Sequence, residues 1–439
     1  MKKRCLLISL ALCLTMTCAA AETLRVPEYA NFTNGGYGAA EAFAQRYPDL
    51  SVEIAGAGAA PDMNDIVRAM TTQDGSQDVL WVMMQTRGYR AMRERGYCAA
   101  LEASETLRGY VEAMYPFIAD ELWHDGRLCA IPVGISCLTA AFSSEAMELM
   151  GLSEEELPAN LMSLMDFIAD WDEDAPVRLS DWDAEMLRFR LFTLIRDAQE
   201  AWCASQGKPL TYDDPVFRAL LEKLEQITPM LQKAGAGGGQ TVLMNLAYDL
   251  APGMYRNEVY MKPVLLARAE GEEPHLKAYV DLYAVNPYSS RQEEAVAFLE
   301  CTVLEADSAP LMSVLLHPDE DTLIENMTYQ AEASMLNDML AQQEGMLQSG
   351  NLSGDERIQF EDSVAWTRAQ LAALETSQWV TSPEKLALWR EAAQHMTVPM
   401  DSGGSDDLIT LRDRYMAGQL SADQFIREAE GVLWMMRQE

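Results

Sequence analysis

The segment Asp78-Val79-Leu80-Trp81-Val82-Met83-Met84 constrains the fold more than any other, because a strand built from it is apolar on both faces. A strand at a sheet–water boundary alternates apolar and polar side chains, whereas a nearly unbroken apolar run belongs to a strand covered on both sides. Parallel sheets are covered that way, since each crossover carries a helix over a face. The neighbouring sequence supplies the crossovers. Extended runs at Leu24 to Tyr29 and Ser51 to Ile54 are separated by helical periodicity at Ala39 to Arg46, and a helical stretch at Met63 to Met70 leads into the apolar run. The pattern reads as α/β with a parallel, buried sheet.

Further along, Leu128 to Phe142 is the longest extended stretch, interrupted by Pro132 and Gly134. It reads as two strands joined without a tight turn, a segment able to cross between lobes. Ser144 to about Gln232 is mostly helical, with apolar stripes Leu161, Leu164, Met165, Ile168 and Leu187, Leu191, Leu194, Ile195. Gly235 to Gly239 marks a loop that lacks the Gly-Lys-Ser/Thr ending of a phosphate cradle. Strand character returns at Val264 to Ala267 and Lys277 to Val285, before a helix from Gln292 to Leu304. Between Asp321 and Ser377 two helices are expected, one striped by Ile324, Met327, Ala331, Met335 and Met339, the other by Phe360, Val364, Leu371 and Leu374, with Gly350 to Asp355 as the turn. Asp406 to Arg437 reads as two more, Ser421 capping the second.

The N-terminus speaks to compartment. Lys2, Lys3 and Arg4 precede an apolar run from Cys5 to Met16 and then Ala19-Ala20-Ala21, the order of a secretory leader cleaved before Glu22. The run is too short to span a bilayer, which needs about 20 apolar residues. Lipid attachment at Cys18 is the competing reading, and Thr15-Met16-Thr17 fits it poorly. Without the leader the chain keeps 30 basic and 68 acidic residues, a net charge of −38. Nucleic acid and anionic lipid are repelled by such a surface, and no nucleic-acid partner is expected. Five cysteines remain, Cys98, Cys129, Cys137, Cys203 and Cys301, an odd number that cannot all pair. Cys129 and Cys137 are on the order of 26 Å apart along an extended segment, beyond disulfide reach. His124, His275, His317 and His395 lack metal-ligand spacing, so neither metal nor cofactor is expected.

Several segments, in order, resemble the extracellular solute-binding proteins of ABC importers, the large group that includes carbohydrate-binding members. Ala42 to Ile54 is similar to that family's opening helix and second strand. Asp78 to Met84, followed by Gly88, Met92, Arg95-Gly96-Tyr97 and Ala100-Leu101, is similar to its next strand and helix. Glu112 to Ile118 with Asp125 to Val133 resembles the helix, Asp-Gly-basic turn and first crossover strand. Leu282 to Ser289 with Glu293 to Glu300 resembles the return crossover, and Tyr415 to Gly418 with Ser421 to Ile426 the C-terminal capped helix. The likeness stops between about Ala159 and Gly253 and between about Pro318 and Ser402.

The resemblance implies an α/β, two-lobed periplasmic-binding-protein-like fold with hinge crossovers and an additional C-terminal helical region. The expected division is a leader over 1–21, lobe 1 over 22–133 plus about 286–320, lobe 2 over 134–285, and helices over 321–439 packing on the lobes. It further implies an exported, monomeric receptor that closes around a small molecule, a sugar or oligosaccharide, and hands it to ABC permease subunits in the membrane. Sugars in such sites stack on aromatic faces while polar side chains bond the hydroxyls. Candidates at strand ends and crossovers are Tyr29, Asn31, Asn34, Trp81, Gln85 and Ser136, with Trp123 and Tyr255 as further aromatic platforms. Asn31 to Gly36 also has the composition of a plain turn. Trp182, Trp202, Trp366 and Trp434 are expected in cores, and the 27 methionines as core filler.

Catalysis finds little support. Gly134-Ile135-Ser136-Cys137-Leu138 begins like a nucleophile elbow but lacks its second glycine. Glu154-Glu155-Glu156 and Asp172-Glu173-Asp174 read as solvated runs rather than a hydrolytic carboxylate pair. An exported ligand sensor or scaffold without a transport role is the alternative, with the 321–377 helices as a partner-docking element, and a secreted hydrolase ranks below it.

Overall fold

The structure, a computed structural model, describes residues 22–27, 37–55, 63–233, 241–251, 261–304, 329–348, 353–376, 378–379, 383–399 and 406–438. The leader, Cys18, His317, and the Gly235–Gly239 loop lie outside the described residues. The chain opens with alternating elements: β1 (Glu22–Pro27), α1 (Tyr37–Arg46), β2 (Leu50–Ala55), α2 (Met63–Thr72), β3 (Val79–Met83) and α3 (Arg87–Glu94). Then come α4 (Glu105–Glu112), α5 (Pro116–Leu122), the hairpin of β4 (Trp123–His124) and β5 (Arg127–Leu128), β6 (Ile131–Ser136) and β7 (Leu138–Ser143). A helical block follows, α6 (Ser144–Met150), α7 (Leu161–Ala169), α8 (Ala184–Ser205) and α9 (Pro215–Ile227), before β8 (Met244–Asp249), β9 (Met261–Val264), β10 (Leu276–Lys277) and β11 (Tyr279–Val285). The remainder is α10 (Gln292–Leu304), α11 (Tyr329–Gln348), α12 (Gly354–Thr376), α13 (Pro383–Gln394), β12 (Met396–Thr397), α14 (Asp406–Met416) and α15 (Ala422–Gln438).

These apolar side chains build two separate cores. One gathers Leu24, Phe43, Val79, Val82, Ile131, Leu282, Phe298 and Trp389; the other gathers Phe142, Leu164, Leu191, Phe217, Leu221, Tyr415 and Phe425. The first holds a sheet in which β1 and β2 run parallel, Leu24 opposite Val52. Asp78 joins β3 to this pair, its N–H donating to the Arg25 carbonyl at 3.1 Å and its Oδ2 accepting the Arg25 N–H at 2.7 Å.

The apolar run of β3 is covered as expected, Val79, Leu80 and Val82 being buried. Its ladder partner differs: β11 pairs with it antiparallel, so the sheet is mixed. An apolar run encodes two covered faces and carries no information about the direction of the neighbouring strand. β11 was also expected on the lobe 2 side of the return, yet it lies between β3 and β6, with Val280, Leu282 and Val285 in the first core. In the second core β7 sits between β8 and β9, antiparallel to both.

The helices there follow their sequence signals. α7 buries Leu161, Leu164, Met165 and Ile168, and Asn160 accepts the N–H of Ser163 at its start. α9 begins with Pro215 behind Asp214, which accepts from Val216 and Phe217. Ser421 caps α15, its Oγ accepting from Gln424 while Gln424 Oε1 accepts the Ser421 N–H. The C-terminal helices are shared out: α13 contributes Leu386 and Trp389 to the first core, α14 and α15 contribute Leu411 and Phe425 to the second.

Two tryptophans contradict their expected burial. Trp366 is 56% exposed on α12 and Trp434 61% exposed on α15. Met335 on α11, also assigned to a buried stripe, is 62% exposed. α11 and α12 pack chiefly on each other, and a two-helix arm offers only one seam for apolar side chains. Trp182 and Trp202 are half-buried.

Candidate functional site

Where the chain passes between the two cores, β11 runs with Tyr279 opposite Ser136 and Asp281 opposite both Gly134 and Met83. Side chains alternate across a strand, so Trp81, Met83, Ser136, Tyr279 and Asp281 share one face of this sheet. All five are half-buried, while Val82, Val280 and Leu282 on the other face are buried. Trp81 is fixed there by its indole Nε1, which donates to Asp281 Oδ1 at 3.0 Å. Gly134 opposite Asp281 leaves the face without a side chain at its centre.

Lobe-to-lobe contact is polar at this point. Tyr279 donates its hydroxyl proton to Asp197 Oδ2 of α8 at 2.5 Å, and Arg196 Nη2 reaches the same phenol oxygen at 3.3 Å. Lys277 Nζ lies 2.6 Å from Glu200 Oε2 and 3.5 Å from Asp197 Oδ1. Tyr212 donates to Glu200 Oε1 at 3.0 Å. Burial pushes the Asp197 carboxyl up, but Lys277 and Arg196 outweigh it and hold the group below its ordinary range. Burial, reinforced by Asp197, pushes the Tyr279 phenol well up. Groups of opposite charge thus meet directly in this cluster.

The β6–β7 crossover has its own anchor. Asp249 Oδ1 accepts the N–H of Cys137 at 2.9 Å and of Ala251 at 3.0 Å. Burial raises the Asp249 carboxyl to about 6 despite these bonds.

Two cores joined by strands that cross between them, over a shared half-open face, is an architecture found in solved proteins. The maltose-bound MalE3 of T. maritima matches with a TM-score of 0.56 at 13% identity, covering 94% of this chain and 99% of that one. An ABC transporter solute-binding protein of Thermotoga lettingae bound with α-D-tagatose gives a TM-score of 0.58 at 13% identity, over 94% of this chain and 98% of that one. An ABC substrate-binding protein from Listeria monocytogenes in complex with cycloalternan gives 0.57 at 12% identity, over 95% and 99%. The chain has the two-lobed solute-binding-protein fold. These neighbours are binding proteins rather than enzymes. No protein-family model and no curated protein matches the sequence.

Within the solute-binding fold the candidate residues separate. Trp81 and Ser136 stand on the crossover face. Gln85 is buried, its Oε1 accepting the Val280 N–H at 3.2 Å, so it finishes the β3–β11 ladder. Trp123 stands on the β4–β5 hairpin, whose Asp125-Gly126 turn has φ of 50° and 77°, and packs half-buried against the first core. Tyr29, Asn31, Asn34 and Tyr255 lie outside the described residues. Sequence reasoning missed Asp281, Tyr279, Lys277 and Asp197. A charge at the centre of the apolar strand Tyr279 to Val285 was the available signal for Asp281.

A second opening between the lobes, a cavity of about 720 Å³, runs along α3 and the ends of α8 and α15. Arg87, Arg90 and Arg95 line it together with Lys208 and Arg437, and among the described residues its lining contains no aromatic ring. No described helix is long and apolar enough to cross a membrane, and among the described residues no three metal-ligating side chains gather.

Proposed function

We propose that this chain is an exported receptor that captures a sugar or oligosaccharide between its lobes and presents the closed form to ABC permease subunits, without catalysing a reaction. The observation that carries the reading is Trp81, a half-buried indole held by Asp281 on the face where the crossovers meet. An aromatic plane fixed beside a carboxylate suits a sugar, whose C–H face stacks while its hydroxyls donate. Lobe 1 is built on the first core and lobe 2 on the second. Ligand bound to both shifts the open–closed equilibrium by its extra affinity for the closed state.

A thermal-shift screen of sugars, peptides and polyamines, followed by solution scattering with and without the best ligand, tests this. A sugar should stabilise the protein and shrink its radius of gyration. Stabilisation by peptides or polyamines and by no sugar refutes it. The reading as a sensor draws on the α11–α12 arm, which exposes Trp366 and Met335; sugar-dependent closure in a strain whose sugar uptake is unchanged by deleting the gene would favour it.

A further inference from the structure

A cavity rich in cations is out of character for a chain with 68 acidic and 33 basic residues. The opening of about 720 Å³ lies between the cores: α3 belongs to the first through Tyr89 and Met92, α15 to the second through Val432 and Leu433. Four of the basic residues, Arg87, Arg90, Arg93 and Arg95, fall within nine positions, and all but Arg93 line the cavity. Lys208, just beyond α8, and Arg437, in the last turn of α15, add their charges from the second lobe. Three carboxylates line the cavity too, and each already meets a cation. Glu94 pairs with Arg90 at 2.9 Å, Glu121 with Arg93 at 2.7 Å and Glu200 with Lys277 at 2.6 Å. Lys208 Nζ lies 4.4 Å over the Trp202 ring and Arg437 donates to the Leu210 carbonyl, contacts that position a cation without neutralising it. The negative end of α15 accounts for Arg437 and for Arg87, whose Nη2 donates to the Met436 carbonyl at 3.4 Å. It does not account for Arg95 or Lys208, which stand on other elements.

We propose that this cavity is a second binding site, for a small molecule carrying two or more oxyanion groups, with Arg95 of lobe 1 and Lys208 and Arg437 of lobe 2 as its cationic contacts. Guanidinium forks meet carboxylate or phosphate oxygens two at a time, and an ammonium adds a point charge. The volume suits such a ligand, since small-molecule sites generally enclose about 300–1,000 Å³. Because the contacts come from both lobes, an anion seated here bridges them. The site stands apart from the Trp81 face: Trp81, Met83, Ser136, Tyr279 and Asp281 do not line the cavity. It holds whether or not the ligand of that face is a sugar.

Inorganic pyrophosphate and citrate supply the two oxyanion chemistries, phosphate and carboxylate. Each is titrated calorimetrically into the full chain at constant ionic strength, with NaCl in place of the anion as reference. The net charge of the protein repels anions elsewhere on its surface, so saturable binding of at least one, with a dissociation constant below about 1 mM, is the expected result. Pyrophosphate alone would assign the site to phosphate groups, citrate alone to carboxylates. Arg95→Glu combined with Lys208→Glu should weaken binding at least 10-fold. Lys233→Glu combined with Arg357→Glu changes the net charge equally at residues that do not line the cavity, and should leave the affinity within about 2-fold. Circular dichroism without anion checks that both pairs fold; if the first does not, Arg95→Gln with Lys208→Gln replaces it. Binding of neither anion overturns the proposal, as does an affinity unchanged by the Arg95 and Lys208 substitutions or lowered equally by the other pair.

Discussion

The phenol of Tyr279 and the carboxylate of Asp197, 82 residues apart, share a hydrogen bond of 2.5 Å that joins the return strand β11 to the long helix α8 of the other core. Asp197 also faces Lys277 and Arg196, so the two ends of this bond are of unequal importance. Tyr279→Phe leaves Asp197 with both cations and should cost about 1–2 kcal/mol in urea unfolding. Asp197→Ala leaves two buried cations short of a partner and should cost about 3–5 kcal/mol. Equal losses would show that the network does not anchor the crossover.

Trp81 tests the proposed ligand face. Trp81→Phe keeps an aromatic plane but loses the Nε1–H bond to Asp281, and sugar affinity should fall roughly 10-fold; Trp81→Ala should lower it 100-fold or more. Titration calorimetry with the sugar found by screening measures both. An unchanged dissociation constant in Trp81→Ala moves the ligand off this face.

Asp249 gives stability a pH dependence of definite sign. Its folded carboxyl titrates near 6, above the ordinary value of about 4, so the folded chain holds that proton more tightly than the unfolded chain. The resulting stability is fully present below about pH 4 and is lost as pH rises through about 6. Asp249→Asn keeps an acceptor for Cys137 and Ala251 but cannot ionise. Relative to wild type it should gain on the order of 2 kcal/mol between pH 4 and pH 7.5 in urea unfolding. Parallel pH profiles would refute this.

Helices α11 and α12 are tied chiefly to each other. Thr367 donates to Gln343 Oε1, Gln343 Nε2 to Ser363, and Arg368 pairs with Glu344, all within the arm. Replacing residues 329–376 by a short Gly-Ser link should change the melting temperature by less than about 3 °C, since surface elements away from a core contribute little. A larger drop would mean the arm props a lobe.

Much of this fold is legible in the sequence because it rests on local rules. The apolar run of β3, the stripes of α7 and α9 and the Asn160 and Ser421 caps each depend on residues within a few positions of one another. The site is less legible because its parts are distant. Asp197 and Glu200 read as the polar side of a helix, and their burial becomes tolerable when Lys277, arriving from far along the chain, joins Arg196 beside them. Trp434 reads as core because it follows an apolar stripe, yet on α15 that stripe is Phe425, Ala429, Val432 and Leu433, and the next position points to water. Trp81 is a candidate by its aromatic ring alone, while Asp281 that fixes it is not, since nothing in either segment announces the antiparallel pairing.

The sharing of the C-terminal helices between the cores bears on when this chain can fold as it is made. Lobe 1 lacks its central strand until β11 is synthesised and Trp389 after that; lobe 2 lacks Tyr415 and Phe425 until the last stretch appears. A growing chain therefore has no finished lobe to lock into until it is nearly complete. If the chain is exported as proposed, late completion keeps it extended enough to thread a membrane channel.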